Sequence, residues 1–405
     1  MKFFRVLVFF LLIFSISSYA IADDVTETVD ESLPVSSETS SNEPEIYSRH
    51  VLVYERNSNC VLYEKNAYEQ CKMASTTKIM TCILILENCD LSATVTVSSK
   101  SANTTGSRLG LHTNDTITVM DLLYGLMLCS GNDAAVALAE FCSGSVEEFA
   151  SLMNSKAQQL SLTSTHFVTP HGLDNDNHYT TAYDFAVLTD YALENPQFVE
   201  IVGTKYYTVT LNGSAKSIHN TNPLLGSLSS VYGVKTGYTS QAGRCLISAA
   251  EQNNLDIIVV VLGADTSTIR TKDSVNLINY IFANYEAIDI SALINDKYRD
   301  FVDYILPYIY VNKASAPLSS KLQDISIQYY PVKKDEIDSI SVSLSEEILE
   351  APVFENQKIG NIVISISNDE IYSTNILSDA YISKKSSLDY LYFFITNFKS
   401  FYQAY

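Results

Sequence analysis

Basic residues are scarce in this chain: 26 lysines and arginines face 46 aspartates and glutamates, for a formal net charge of −20. So acidic a surface cannot supply the lysines and arginines that displace counterions from a polyphosphate backbone, which argues against nucleic acid as a partner. Paired cysteine motifs are missing as well. The seven cysteines (Cys60, Cys71, Cys82, Cys89, Cys129, Cys142 and Cys245) are odd in number and include no C-x-x-C, so they read neither as a disulfide framework nor as a zinc site. Cys82, Cys129 and Cys142 fall within helical apolar patterns, where a free thiol behaves as a small hydrophobe. Near neither end does an apolar run reach the ~20 uninterrupted residues that a bilayer span requires.

What the ends do contain is informative. Lys2 and Arg5 precede an apolar run from Val6 to Ile16, followed by Ala20-Ile21-Ala22. That order predicts a secretory signal peptide over residues 1–22, with an uncut membrane helix as the alternative, and so an exported protein at the outer face of the cytoplasmic membrane or in the cell wall. Residues 23–45 are acidic, hydroxylated and Val/Pro-containing with no basic side chain, too polar to offset their ordering entropy, and are expected to form a flexible linker.

Order is expected from Ile46. The remaining length and an apolar fraction of 46% allow two domains, placed at 46–286 and 287–380. His50–Tyr54 and Cys60–Glu64 read as a hairpin around Arg56-Asn57-Ser58-Asn59. A helix is expected from Ser75, because Ile79, Cys82, Ile83 and Leu86 recur at helical spacing. Thr118 with Asp121 and Ser145 with Glu148 mark further helix starts, and a helix from about Asp133 to Cys142 lies between them. The block from Met73 to Phe185 is thus read as mainly helical. Strands follow at Lys205–Leu211, Gly233–Thr236, Arg244–Ala250 and Leu255–Leu262, then a closing helix over Arg270–Tyr285. Together these predict an α+β fold, an antiparallel sheet flanked by helices with a helical subdomain.

Beyond Ala287 the pattern turns to β-type alternation, as in Ile340, Val342, Leu344 and in Ile362, Ile364, Ile366, which predicts a small all-β domain. In residues 381–405, Leu388, Leu391, Tyr392, Ile395, Phe398 and Tyr402 recur at helical spacing near Lys384, Lys385 and Lys399. That pattern suits an amphipathic helix lying in a membrane surface, the alternative being a helix docked on its own β domain.

Three short motifs carry the chemistry. Ser75-Thr76-Thr77-Lys78 sets a hydroxyl and an amine one helical turn apart at a helix start, so both can meet on one face. A serine becomes a nucleophile only when a base takes its proton, and a lysine serves as that base only if burial or a neighbouring cation keeps it neutral. Ser130-Gly131-Asn132 sits at the break between two apolar helices. Lys235-Thr236-Gly237 lies on a strand, where glycine lets a substrate backbone approach while Lys235 and Thr236 offer a cation and a hydroxyl to a carboxylate. Each motif alone is common. All three in this order, each in the secondary structure its chemistry needs, form the set found in penicillin-binding proteins and class A β-lactamases.

With these motifs the chain resembles the low-molecular-mass penicillin-binding proteins, the serine-type D-Ala-D-Ala carboxypeptidases. Further segments share the resemblance: Met73–Met80, Gly172-Leu173-Asp174 before Tyr179-Thr180-Thr181-Ala182, Asn220–Leu225, Gly233–Gly243, Val260–Gly263 followed by Arg270, and Ala351-Pro352-Val353 with Ile359-Gly360. Two departures are Tyr238, where some members have histidine, and Arg244, where an aromatic is frequent. The resemblance implies Ser75 as the acyl-forming nucleophile, Lys78 as its base and Ser130 as the proton relay to the leaving amine. It implies Asn132 as orienting the substrate amide, Lys235, Thr236 and Arg270 as holding the carboxylate of the departing D-alanine beside Gly237, and the N–H groups of Ser75 and Tyr238 as the oxyanion hole. Peptidoglycan stem peptides and β-lactam antibiotics are the implied ligands, with no cofactor. A β-lactamase, an endopeptidase and a non-catalytic wall-binding module are the alternatives. The loop His166–His178 contains Asp174 and Asp176 but no glutamate to activate a deacylating water, so slow penicillin turnover is expected. His166, His171 and His178 fit no helical metal-ligand spacing and read as turn chemistry near the cleft.

Overall fold

A computed structural model describes residues 43–402; the expected signal peptide, most of the acidic linker and the last three residues lie outside them. β1 (His50–Glu55) and β2 (Cys60–Lys65) form the predicted hairpin. A 3-10 turn, Ala74–Thr77, then leads into α1 (Lys78–Asn88). The helix expected from Ser75 is therefore tighter in its first turn, because the hydroxyls of Thr76 and Thr77 donate back to the carbonyls of Met73 and Ala74 at 2.5 and 2.8 Å.

The short β3 (Thr94–Thr96), α2 (Ser99–Ala102) and β4 (Thr116–Thr118) precede α3 (Val119–Met127), α4 (Asn132–Ser143) and α5 (Val146–Gln159). Thr118 and Ser145 cap α3 and α5 as their sequence pattern predicts, accepting from the N–H groups of Asp121 and Glu148 at 3.1 Å each. Residues 160–181, inside the block read as mainly helical, hold no helix. They form a loop tied down by bridges between Cys71 and Thr180 and between His166 and Tyr179.

After α6 (Ala182–Leu193), α7 (Pro196–Gly203) and the hairpin β5 (Tyr206–Leu211) with β6 (Ser214–His219) come β7 (Val231–Thr239), β8 (Gly243–Gln252), β9 (Leu255–Ala264) and α8 (Ser267–Asn284). One antiparallel sheet results, in the order β2-β1-β9-β8-β7. Both of its faces are covered. Along β9, Ile258, Val260 and Leu262 enter the core shared with the helical block, whereas Ile257, Val259 and Val261 enter a core closed by Leu277, Ile278 and Ile281 of α8. Alternate side chains of a strand point to opposite faces, so a strand buried on both sides reads as an unbroken apolar run. Each such side chain contributes ~1.5–3 kcal/mol by burial. This order leaves β7 at the edge of the sheet, beside the Ala74–Thr77 turn.

β10 (Tyr285–Asp289) passes into α9 (Ile290–Asp300), a helix inside the stretch read as β-type. Its signals are present in hindsight: Asp289 caps it by accepting from Ala292 N–H at 2.8 Å, and Ile290 and Ile294 share one buried face. Then β11 (Ser320–Leu322), β12 (Tyr329–Lys333), β13 (Ile340–Glu346), β14 (Lys358–Ile366) and β15 (Asp369–Ser378) follow. β10 pairs with β12, and the others form a four-stranded sheet in the order β11-β15-β14-β13. Ile290, Ile294 and Phe301 meet Ile362, Ile364 and Ile376 in a core of its own. The α+β architecture with a β-rich C-terminal region is thus the one the sequence predicts.

The chain closes on α10 (Ser387–Tyr402). All described side chains from Ser383 to Asn397 are exposed, among them Leu388 (74%) and Tyr392 (72%), so this helix is not docked on the β-rich region. Among the described residues no helix is long and apolar enough to cross a membrane.

Candidate active site

Three structural elements converge on Ser75: its own 3-10 turn, the start of α4, and β7. Local spacing places Lys78 one turn after Ser75, and the buried Lys78 Nζ donates to Ser75 Oγ at 2.9 Å. The same nitrogen is held by two acceptors that are remote in sequence, Asn132 Oδ1 at 2.8 Å and the His171 carbonyl at 3.0 Å. A buried lysine head with three oxygen partners has one defined position.

Ser130 lies in the tight connection between α3 and α4 with φ +58, and its buried Oγ has no hydrogen-bond partner among the described residues. Asn132 opens α4. Its Nδ2 donates to the Thr105 carbonyl at 2.7 Å, which fixes Oδ1 toward Lys78. The neighbouring Asp133, fully buried, accepts from the N–H groups of Leu109, Gly110 and Leu111 at 2.8, 2.8 and 3.0 Å and so fastens the loop that carries Thr105 to the helix start.

Lys235, Thr236 and Gly237 lie mid-way along β7, a strand longer than the Gly233–Thr236 core predicted for it. The buried Lys235 Nζ donates to the Thr236 carbonyl at 2.9 Å, and Thr236 Oγ1 lies 2.7 Å from Thr221 Oγ1, within the Asn220–Leu225 segment. Gly237 faces the Ser75 turn so closely that a Cβ there would fall 2.9 Å from Ser75 N and 3.1 Å from Thr76 N. Only glycine lets edge strand and turn approach to this distance. Tyr238 is half-buried, with the Arg244 guanidinium 4.0 Å from its ring centroid. Arg270 is buried in the first turns of α8, where Nη2 donates to Thr271 Oγ1 at 3.5 Å.

The structure therefore joins Ser75, Lys78 and Asn132 directly, abuts Gly237 on Ser75, and keeps Lys235 and Thr236 on that same strand. A profile of the D-alanyl-D-alanine carboxypeptidase family matches residues 37–266. This chain belongs to that family. It is a serine-type hydrolase by that membership. The D-alanyl-D-alanine carboxypeptidase DacF of Bacillus subtilis is 30% identical over 351 residues, 85% of this chain and 88% of its own. Among solved structures, penicillin binding protein 5 from Haemophilus influenzae superimposes with a TM-score of 0.70 at 28% identity, covering 85% of this chain and 99% of the other. A Streptomyces DD-transpeptidase aligns with a TM-score of 0.57 at 35% identity over 60% of this chain and 99% of its own.

Within this candidate site the contacts of several groups named in the sequence escaped the sequence reading. Asp174 accepts from Thr239 Oγ1 at 2.5 Å and from Gln241 N–H at 3.3 Å, tying the loop 160–181 to the end of β7. His171 contributes its carbonyl to Lys78, and its ring Nδ1 accepts from Leu173 N–H at 3.2 Å. Burial, with Lys78 and His178 nearby, pushes the His171 imidazole down to about 3; burial, with Lys72 and His166 nearby, does the same to His178. Both rings are neutral at ordinary pH. The Gly-Leu-Asp motif at 172–174 was the available signal, since it lies directly beside these contacts.

Proposed function

We propose that this protein removes the terminal D-alanine from peptidoglycan pentapeptides through an acyl-enzyme on Ser75. The observation that carries this reading is the 2.9 Å separation between the buried Lys78 amine and Ser75 Oγ, with Asn132 and the His171 carbonyl fixing the amine in place.

In this reading Lys78 is neutral, and its two N–H bonds go to Asn132 Oδ1 and the His171 carbonyl. Its lone pair faces Ser75 Oγ across the same 2.9 Å and takes the Ser75 proton as Oγ adds to the carbonyl of the D-Ala-D-Ala bond. The N–H groups of Ser75 and Tyr238 stabilise the oxyanion. Lys78, now protonated, passes its proton through Ser130 to the departing amine, which fits a Ser130 hydroxyl buried beside the site with no other bond to satisfy. Asn132 orients the substrate amide, and Lys235, Thr236 and Arg270 hold the carboxylate of the leaving D-alanine. Water then hydrolyses the ester. β-Lactams acylate the same serine and leave slowly, because the loop against Lys78 offers a backbone carbonyl and no glutamate.

The reading extends to place. The chain is exported by its N-terminal segment, residues 46–286 form the peptidase domain and 287–380 the β-rich one, and α10 seats the enzyme on the membrane. Its apolar side chains, exposed beside Lys384 and Lys385, support that last point. Labelling with a fluorescent penicillin followed by peptide mapping tests the core of the reading: the label is expected on the Ser75 peptide and absent from Ser75→Ala. Label elsewhere, or D-alanine release unchanged in Ser75→Ala, overturns it.

A further inference from the structure

His178, in the loop 160–181, is buried to 2% exposure and spends both ring nitrogens on hydrogen bonds, one to the loop backbone and one to Thr77 in the turn that carries Ser75. The Val168 N–H donates to Nδ1 at 2.9 Å. Nδ1 is therefore the unprotonated nitrogen, and the proton of the neutral ring sits on Nε2. Nε2 lies 2.8 Å from Thr77 Oγ1 and donates to it. That leaves the Thr77 hydroxyl proton for the Ala74 carbonyl, 2.8 Å away. The chain of donors thus runs in one direction, from the loop backbone through His178 and Thr77 to the peptide bond between Ala74 and Ser75.

That peptide is unusual. Ala74 holds φ +48, a left-handed value that a non-glycine residue adopts only when its surroundings enforce it. On its other side Gly172, at φ +87, lies so near that a Cβ would fall 1.8 Å from the Ala74 oxygen. The loop 160–181 therefore grips the carbonyl from two directions, sterically through Gly172 and by hydrogen bonding through His178. A carbonyl that accepts a hydrogen bond polarises its own amide, and the N–H at the other end of the same peptide becomes a stronger donor. Here that N–H belongs to Ser75.

We propose that His178 and Thr77 are positioning residues that hold and polarise the Ala74–Ser75 peptide, so that the Ser75 N–H is aimed and strengthened as a donor to the oxyanion. The proposal rests on the acyl-serine reading above. It assigns a catalytic consequence to a histidine that touches no substrate.

The test uses the full chain and a slowly turning-over penicillin, with wild-type acylation at Ser75 as the control. Thr77→Val, which keeps shape and removes the hydroxyl, is expected to slow acylation about tenfold or more. It is also expected to raise the carbonyl stretching frequency of the acyl-enzyme ester in infrared difference spectra, since a weaker oxyanion donor polarises the ester less. Thr77→Ser is expected to restore both. His178→Gln, whose amide can still donate toward Thr77, is expected to lie nearer wild type than His178→Leu in both measurements. A purely structural role predicts altered melting with no frequency shift in the folded fraction. An ester frequency unchanged in Thr77→Val, or acylation at the wild-type rate, overturns the proposal. If Thr77→Val or His178→Leu fails to fold, the frequency in His178→Gln against Thr77→Ser decides, because the proposal requires the ester band to track donor strength across the set. A wild-type chain that is not acylated at Ser75 would instead remove the acyl-serine reading itself.

Discussion

The Arg244 guanidinium lies over the ring of Tyr238, 4.0 Å from its centroid, so the two positions read in the sequence as departures from the family's pattern contact each other. They sit opposite one another on β8 and β7, one residue beyond the Lys235-Thr236-Gly237 motif. A cation–π pair at a partly exposed site is worth ~0.5–1 kcal/mol, enough to bias the tyrosine ring toward the guanidinium. Arg244→Leu is expected to raise KM for D-Ala-ending peptides several-fold with kcat changed less than about twofold. Steady-state kinetics on two peptides differing in the residue before D-Ala-D-Ala checks this; a fall in kcat alone would tie Arg244 to the chemical step.

Lys78 is buried with three oxygen partners, so replacing it separates catalysis from folding. Lys78→Met is expected to lose acylation by ~10²–10⁴-fold, the span typical of a general base. The apolar side chain of similar length keeps the packing but leaves the Asn132 and His171 oxygens without that donor, at a cost of about 1–3 kcal/mol. Intact-mass measurement of the penicillin adduct with a melting curve checks it, and a lower melting temperature with undiminished acylation contradicts the base assignment.

Acid should destabilise the fold through two histidines. His171 and His178 are held neutral down to about pH 3 in the folded chain, while an unfolded histidine binds its proton near about pH 6.5. Between those values the unfolded state carries more protons, so the stability owed to the neutral rings is complete above about pH 6.5 and declines as pH falls toward 3. The slope approaches ~1.4 kcal/mol per pH unit for each ring. Urea midpoints from about pH 7.5 to 4.5 measure it, and His178→Gln is expected to make the slope shallower; an unchanged slope rules out His178 as a contributor.

Gly172→Ala meets both a left-handed φ and an Ala74 oxygen 1.8 Å from the added Cβ. It is expected to destabilise the chain by more than ~3 kcal/mol, at the upper end for a single substitution, and to slow acylation further in whatever remains folded. Gly213→Ala, also at positive φ but with open space around it, is expected to cost only about 1 kcal/mol. Equal losses in the two variants would leave the contact with Ala74 without energetic weight.

Membrane attachment is tested by truncation, and the structure sets the boundary. Ile382 is buried and bridges to Val353, and Lys385 N–H donates to Lys313 at 2.8 Å, so a cut at Tyr381 would damage the β-rich region. Ending the chain after Ser386 is expected to release it from vesicles containing anionic lipid while leaving penicillin acylation and melting unchanged. Continued co-sedimentation counts against α10 as the anchor.

Much of the site was legible because its chemistry is written locally. Ser75 and Lys78 meet through helical periodicity alone, Thr118 and Ser145 cap their helices from side-chain type, and the unbroken apolar run of β9 reports a strand buried on both faces. α9 was missed because a short amphipathic helix amid isoleucine-rich strands presents the same residue types at nearly the same density, and only its cap and its i, i+4 isoleucines distinguish it.

The sequence by itself determined which groups could react and on what elements they sit. Tertiary structure alone decided which of them share a proton: Asn132 and the His171 carbonyl reach Lys78 from 54 and 93 residues away, and Gly237 reaches Ser75 from another domain layer. Periodicity governs neighbours within a turn or a strand pair, whereas contacts at such separations follow from how sheet and helices pack, which no local pattern encodes.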